Sequence, residues 1–517
     1  MSAKKRYDKL AAKREPALRR ARAASELTIP SLIVPDGHSQ ESVLPTPYQG
    51  IGARGVNTLA AKLALILMPA GDPFFRYTID EFVEAELTGG KKGGVDEALA
   101  KIERSISRAI NVTGIRVPLV DGLRHLIVGG NVILGYQGQK KRFRVFYLNQ
   151  YVQHFTPDHK LLEVIIKETT TVSALSKDVQ EAVDIVGSGK KQDDDIDMYT
   201  TIVREPSGKY RVFQEINERL TGQNEGLHTE ENLPYLILGW NWVDGEDYAR
   251  GHVEEYYGDL KSHEELSRAL VEGSAAAAKI IYFVRQGGST SVRELEKANG
   301  SVVSGNADDV SVLQLEKFAD FRVAQETAQE IAQRLQFAFL MQQAVQRDAE
   351  RVTAEEIRRV AEDIDDTLGG IFSQLSEDFQ LPLVKLVSKD LEKSGKLPSL
   401  PADTVDVQIL TGLQALGRNA DLQKLQAYFQ LIPPPLLEQL LPRFDVDEIS
   451  KRIGAAVNLD TSGLLISNEE ASAATQDAQL QAMIQEVGPE VVKQLLQAAI
   501  QQQQGGGQQG QPPQQGA

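Results

Sequence analysis

Cysteine is absent from the 517 residues. That removes disulfide scaffolds, thiolate zinc sites, iron–sulfur clusters and cysteine nucleophiles, and it suits a reducing compartment. Positive charge is scarce as well: 56 Lys and Arg stand against 72 Asp and Glu, a formal net charge of −16. Neutralising phosphates takes clustered basic side chains, so any contact with nucleic acid is expected to be local or transient. Long hydrophobic runs are also missing. The most apolar stretches, residues 63–69, 119–134 and 273–284, are short or interrupted by Asp121, Arg124 or Lys279, whereas a membrane helix needs about 20 apolar residues. The first 28 residues hold nine Lys and Arg, three acids and no apolar run, so a secretory signal is not expected there.

What is present is ordinary globular material. Hydrophobic residues make up 41% and charged residues 25%, enough to bury a core, and the length suits roughly three domains of about 150 residues. The fold class expected is α+β, predominantly α-helical. A cationic amphipathic helix, with Leu10, Ala17, Leu18, Ala21, Ala24 and Leu27 near one face, should stop at Thr28-Ile29-Pro30 because proline disfavours helical geometry in the residue before it. Further helices are expected over 48–68, 95–110 and 118–128. Short runs rich in Val, Ile, Tyr and Phe at 131–136, 142–148, 161–167, 196–203, 210–216 and 235–238 read as strands. Helix then dominates over 253–278 and 321–345, the latter about 38 Å long. Strands are expected between them at 279–284, 301–303 and 310–315. A capping box at Thr353–Glu356 starts a third long helix, whose end Pro382 should disturb, and 405–410 reads as a strand. A helix of lower apolar content is expected over 469–503. The last 17 residues hold nine Gln, five Gly and two Pro, which cannot bury a core and should be disordered.

Several motifs invite a chemical reading. Gly50, Gly52 and Gly55 match GxGxxG, but two prolines in the preceding 44–49 exclude a central strand, and no alternating βαβ series follows. They read better as the start of a tightly packed helix. At 187–191, Lys191 and Asp184 occupy places where a Walker A loop needs Ser or Thr and Gly. The seven histidines (His38, His125, His154, His159, His228, His252, His263) form no HExxH or HxH pattern, and no GxSxG elbow is present. Asp363, Asp365 and Asp366 could share a cation, though acidic runs on a helix are usually a solvated face. Arg347, Asp348, Glu350 and Arg351 join two long helices. They form either a hairpin with surface ion pairs worth under about 1 kcal/mol each or, in a ring of subunits, a repeating constriction whose arginines touch passing phosphates.

The same residues carry a family resemblance. TIPSL at 28–32, IGARGVNTLAAKL at 51–63, DGEDYARGHVEEYYGDLKSHEEL at 244–266, AVQRDAERVTAEEIRRVAEDIDDTLGGIFSQL at 344–375 and NLDTSGLL at 458–465 resemble the portal proteins, or head-to-tail connectors, of short-tailed Autographivirus-type phages. The resemblance extends to about residue 465 and does not cover the Gln/Gly-rich tail. It implies a portal fold with wing, stem, clip and crown regions, assembled as a homo-oligomer, a 12-mer ring, at one capsid vertex. Residues 1–245 correspond to a wing region with the β-rich segment. Stem helices fall at 246–278 and 321–346, around a clip at 279–320. A tunnel loop at 347–352 leads to wing-to-crown helices at 353–400 and C-terminal helices at 401–500, and 501–517 is the tail. Implied partners are double-stranded DNA in the channel, terminase, a tail adaptor protein, major capsid and scaffolding proteins and internal core proteins. No enzyme activity, cofactor or metal is implied, and localisation is the virion after assembly in the host cytoplasm. Arg347 and Arg351, and in second place Arg358, are the DNA-facing candidates. The alternatives are a soluble helical adaptor without a channel, and a nucleotide-binding enzyme using Gly50–Gly55.

Overall fold

The computed structural model describes residues 2–39, 41–69, 73–79, 93–185, 189–277, 281–297, 300–313, 318–341, 368, 370–398, 405–410, 431 and 433. The chain divides into two units, 1–421 and 422–517, and every element below belongs to the first. Helix α1 (Ala3–Glu26) buries Leu10, Ala17, Leu18, Ala21 and Ala24, the face that the 3.6-residue period selects. Pro16 lies on its solvent side, where water can satisfy the carbonyl that the missing N–H leaves free. The helix stops where Thr28 turns its hydroxyl back onto the Ala24 carbonyl, 2.8 Å away.

Helix α2 (Ile51–Leu67), strand β1 (Phe75–Ile79) and helices α3 (Gly93–Val112) and α4 (Arg116–Gly129) follow. Gly130 closes α4 with φ at 74°, the left-handed position that glycine adopts without strain. A Cβ there would also sit 2.5 Å from the Ala249 carbonyl oxygen. One glycine thus permits both the helix stop and the close passage of the 249–251 backbone. Strand β2 (Asn131–Gln137) continues at once. Its Val132, Ile133 and Leu134 are fully buried, as expected of a strand covered on both faces. It is central to an antiparallel sheet between β3 (Arg142–Tyr147) and β10 (Tyr235–Gly239), with α4 packed against it.

A second antiparallel sheet runs in the order β4 (Tyr151–Phe155), β5 (Leu161–Thr171), β6 (Asp195–Arg204), β7 (Tyr210–Ile216) and β8 (Arg219–Leu220), with β9 (Gly226–His228) also on β7. Short α5 (Lys177–Ala182) lies in the β5–β6 connection. The six expected strand segments are all present. The sequence reading lacks β1, β4, β8 and β9, because two- and three-residue strands have no period and Gln153 and His154 break the apolar pattern of β4. Ala3, Tyr7 and Leu10 of α1 pack on Val152, Ile165 and Tyr199 of this sheet.

The second half departs from expectation in four places. The helix expected over 253–278 is divided into α6 (His252–Glu255) and α7 (Tyr257–Ala277) at Tyr256 (φ −106°, ψ 13°), whose ring packs edge-on against His252. Residues 301–303 form no strand. The hairpin of β11 (Ile281–Val284) and β12 (Val310–Leu313), with short α8 (Val292–Leu295) between them, pairs Ile281 with Leu313 and Val284 with Val310; Val302 is left 97% exposed. Helix α9 (Phe318–Ala338) ends seven residues before the expected Val345, because Leu340 is left-handed at φ 54°. The third long helix, described from Leu368, runs through α10 (Ile371–Leu375), a π-helical turn over Ser376–Gln380 and α11 (Leu381–Lys393). Pro382 therefore widens the helix and does not end it. Its ring cannot pack against the Asp378 carbonyl in α geometry and has no N–H to offer it. Strand β13 (Val405–Ile409) pairs antiparallel with β1, Phe75 opposite Ile409.

Candidate functional site

Helices α7 and α9 pack against each other in opposite directions. Near the start of α7, Asp259 pairs with Arg334 near the end of α9 at 2.8 Å. Near the end of α7, Gly273 makes room for the Phe321 ring at the start of α9; a Cβ there would lie 2.4 Å from that ring. The β11–β12 hairpin occupies the segment between these two helices. At 21 residues each, the helices are about 32 Å long.

The arm is covered unevenly by its own chain: α9 buries Ala328, Ile331, Leu335 and Ala338. In α7 the buried residues are Leu260 and Glu264, while Val271, Val323 and Phe337 are more than half exposed, as are Tyr282 and Phe283 of the hairpin. The two helices carry Asp259, Glu264, Glu265, Glu272, Asp320, Glu326 and Glu330 against Lys261, Arg268, Arg322 and Arg334, so their field is acidic. Glu264 ties the arm to the body. Its two oxygens accept the Tyr48 and Gln49 backbone N–H groups, each at 3.1 Å.

The other anchor is the C-terminal end of α9. Helix ends leave carbonyls without intrahelical donors, and here two side chains reach them. His252 Nε2 donates to the Ala338 carbonyl at 3.0 Å, and the buried Lys62 Nζ donates to the Leu340 carbonyl at 2.7 Å. Phe339, between them, is fully buried against Gly55 of α2 and edge-on to His252. The His252 imidazole, whose Nδ1 lies 3.6 Å from the Glu255 carboxyl, also holds that carboxyl below the usual range. A lysine at the negative end of a helix is electrostatically favourable, and the sequence signal for it is a single Lys within the apolar run of α2. Lys62, His252 and Phe339 anchor the end of α9, a role that pattern reading did not assign to them. They fix the point from which the chain runs on to Arg347, Arg351 and Arg358, which themselves lie outside the described residues, as do Asp363, Asp365 and Asp366.

The remaining motifs resolve into packing. Gly50–Gly55 follows an irregular segment and begins α2. Positions where a phosphate would approach are filled, since a Cβ on Gly52 would meet the Leu27 carbonyl at 2.6 Å and one on Gly55 the Phe339 ring at 2.7 Å. The nucleotide alternative is thereby corrected: these glycines admit protein backbone and an aromatic ring. Among the described residues no cluster of His, Asp and Glu could hold a metal ion, and no helix is long and apolar enough to cross a membrane. The cationic α1 spends much of its charge internally: Arg6 on Glu163, Arg20 on Glu246 and Glu254, Arg22 on Asp36 and Glu15.

His125 of α4 is buried and stacked on Tyr147, and burial pushes its pKa down. The unfolded chain therefore binds the proton more tightly. The neutral ring's contribution is present above about pH 6.5 and is lost as pH falls below it. Denaturant titrations from pH 7 to pH 5 should show this loss, and His125→Gln should make the decline shallower.

Comparison with known proteins converges on one group. A family model described as "Bacteriophage head to tail connecting protein" matches residues 1–465, the span over which the sequence resemblance extends. The portal protein of Escherichia phage T7 is 39% identical over 480 residues, 90% of this chain and 89% of the relative. That of Enterobacteria phage T3 is 38% identical over 478 residues, 91% and 89% of the two chains. That of Pseudomonas phage phiKMV is 30% identical over 470 residues, 90% and 92% of the two chains. A chain in the virion of a gene transfer agent particle superposes with a TM-score of 0.35 at 12% identity, over 74% of this chain and 85% of that one.

Proposed function

The chain belongs to the family of bacteriophage head to tail connecting proteins, and on that premise we propose that it is the portal subunit of a short-tailed phage. It forms a ring of twelve copies at one capsid vertex, through which double-stranded DNA is packaged, retained and ejected. The observation that carries this reading is the antiparallel α7–α9 arm, which projects apolar side chains that its own chain does not cover. In a closed ring each subunit places one face against the other face of its neighbour, and the arm is where such contacts are needed most.

On this reading α7 and α9 are stem helices, the β11–β12 hairpin is the clip that meets terminase and then the tail adaptor, and residues 347–352 are the tunnel loop. The two sheets with α1 to α4 form the wing, residues 401–500 belong to the wing and the crown, of which the crown faces the capsid interior and its core proteins, and capsid and scaffolding proteins surround the ring. The charge supports a conduit. Every neutralised phosphate strengthens binding to DNA and raises sliding friction, so acidic walls with a few arginines at one constriction let a duplex pass. The protein acts as a channel and a docking platform, with no catalytic step of its own.

Negative-stain images of the purified full chain down its axis test the reading. An annulus whose lumen admits a duplex is expected; a monomer or a small oligomer without a hole, at every concentration and salt, overturns it. Arg347→Ala with Arg351→Ala should leave ring assembly intact and shorten the DNA retained in filled heads. Full-length, fully retained genomes in that double variant would remove both arginines from the mechanism.

A further inference from the structure

A cleft of about 890 Å³ opens between the segment that joins α1 to α2 and the side of α4. Leu32, Pro45 and Pro47 make an apolar wall, and Asp121, Arg124 and His125 of α4 make a polar one. Arg124 differs from the ion-paired arginines of α1 and of the segment before α6, although the Nε atoms of Arg20, Arg22 and Arg250 likewise lack an acceptor. Arg6, Arg20, Arg22 and Arg250 each meet a carboxylate of this chain. Arg124 has no hydrogen bond or ion pair with any described residue, and its Nε is closed off from water without an acceptor. His125 beside it is 4% exposed and leaves Nδ1 equally unpartnered. A buried donor without an acceptor costs about 1–3 kcal/mol, and among the described residues no carboxylate meets the Arg124 guanidinium.

We infer that this cleft seats a carboxylate-bearing segment of a second copy of the chain, its acid on Arg124 and its apolar neighbours against Leu32, Pro45 and Pro47. The inference rests on the ring reading above. Two observations favour a second copy. First, the cleft wall continues into the arm: between Pro47 and Gln49, Tyr48 has its N–H held by Glu264 and its ring under the Arg268 guanidinium at 5.2 Å, both on α7. The cleft is therefore continuous with the helix whose apolar side chains await a neighbour. Second, the net charge of −16 means that each copy brings spare carboxylates. Asp121 argues for a peptide over a free anion, since a peptide offers backbone N–H donors to it alongside the acid for Arg124, and a bare phosphate offers none.

The test uses the full chain and two substitutions at one position. Arg124→Glu should raise the protein concentration needed for ring assembly by about tenfold or more, as facing like charges do across an interface, while the unassembled chain still melts cooperatively, lowered only slightly by the like charge of Asp121 one turn away. Arg124→Lys should still assemble. Treated with a carbodiimide, the amine that R124K introduces should condense with the seated carboxylate, losing water to the reagent and forming an amide. In rings mixed from ¹⁴N and ¹⁵N subunits, mass spectrometry should find that amide between differently labelled chains. Assembly of R124E at the wild-type concentration overturns the proposal, as does a cross-link found only within one chain or absent from assembled R124K rings. Should R124E misfold, the cross-link alone decides. Failure of the wild-type chain to form rings is a separate result, which overturns the ring reading and this inference with it.

Discussion

Gly55→Leu is expected to lower the unfolding free energy by about 3 kcal/mol, the upper range for forcing atoms into a packed core. The Cβ alone would lie 2.7 Å from Phe339 Cγ and 3.0 Å from Phe339 Cβ. Neither side can yield easily. Gly55 is within α2, and Phe339 is fully buried directly after α9, where the flanking carbonyls are held by His252 and Lys62. Denaturant unfolding of Gly55→Leu, Phe339→Ala and the double variant measures the coupling. Phe339→Ala alone should cost about 3–5 kcal/mol through the cavity, and the double variant should lose much less than the sum, because a leucine at 55 grows into the space that the ring vacates. Additive losses would mean that the glycine is not there for the ring.

Arg14→Met is the second large effect. The guanidinium of Arg14 is buried, and its Nη1 donates to the carbonyls of Leu148, Asn149 and Tyr151 at 3.1, 2.9 and 2.8 Å. Methionine fills much of the same volume and serves none of them. Three carbonyl oxygens at the β3–β4 corner then lack their donor, and a loss of about 4 kcal/mol is expected, comparable to breaking a buried charged contact. Because these bonds tie α1 to the sheet, limited proteolysis should release the first 30 residues from Arg14→Met while sparing the rest. Arg14→Lys, with a shorter reach and one ammonium, should fall between. Unchanged stability and unchanged protection of the N-terminal segment would refute the anchoring role.

That role also shows where reading residues in order loses force. The charge of the first helix is plain in the sequence and suggests a partner outside the chain. In the fold, Arg14 turns inward to three carbonyls that are about 135 residues away, and Arg6, Arg20 and Arg22 find acids of their own chain. Composition records how much charge there is but not which contacts absorb it. The glycines at 50, 52 and 55 went the other way. Prolines in the preceding segment exclude a dinucleotide site, and the structure puts the Leu27 carbonyl and Phe339 against them. The early end of α9 was not legible, since 321–345 contains neither Gly nor Pro. The helix stops where Leu340 turns left-handed, and the donor for the Leu340 carbonyl comes from Lys62, 278 residues earlier.

Periodicity by itself determined the helical faces, the six longer strands and the α+β class, because burial of an apolar stripe or an alternating face is written locally and repeats every few residues. The family was legible for a related reason: long stretches of particular residues survive in the chain as a string. Tertiary structure alone decided where α9 ends, that Pro382 widens a helix without stopping it, that residues 301–303 form no strand, and which arginines are satisfied from within. Those outcomes depend on donors, acceptors and rings brought together from distant segments, and hydrogen-bond partners that meet only after folding leave no periodic mark on the sequence.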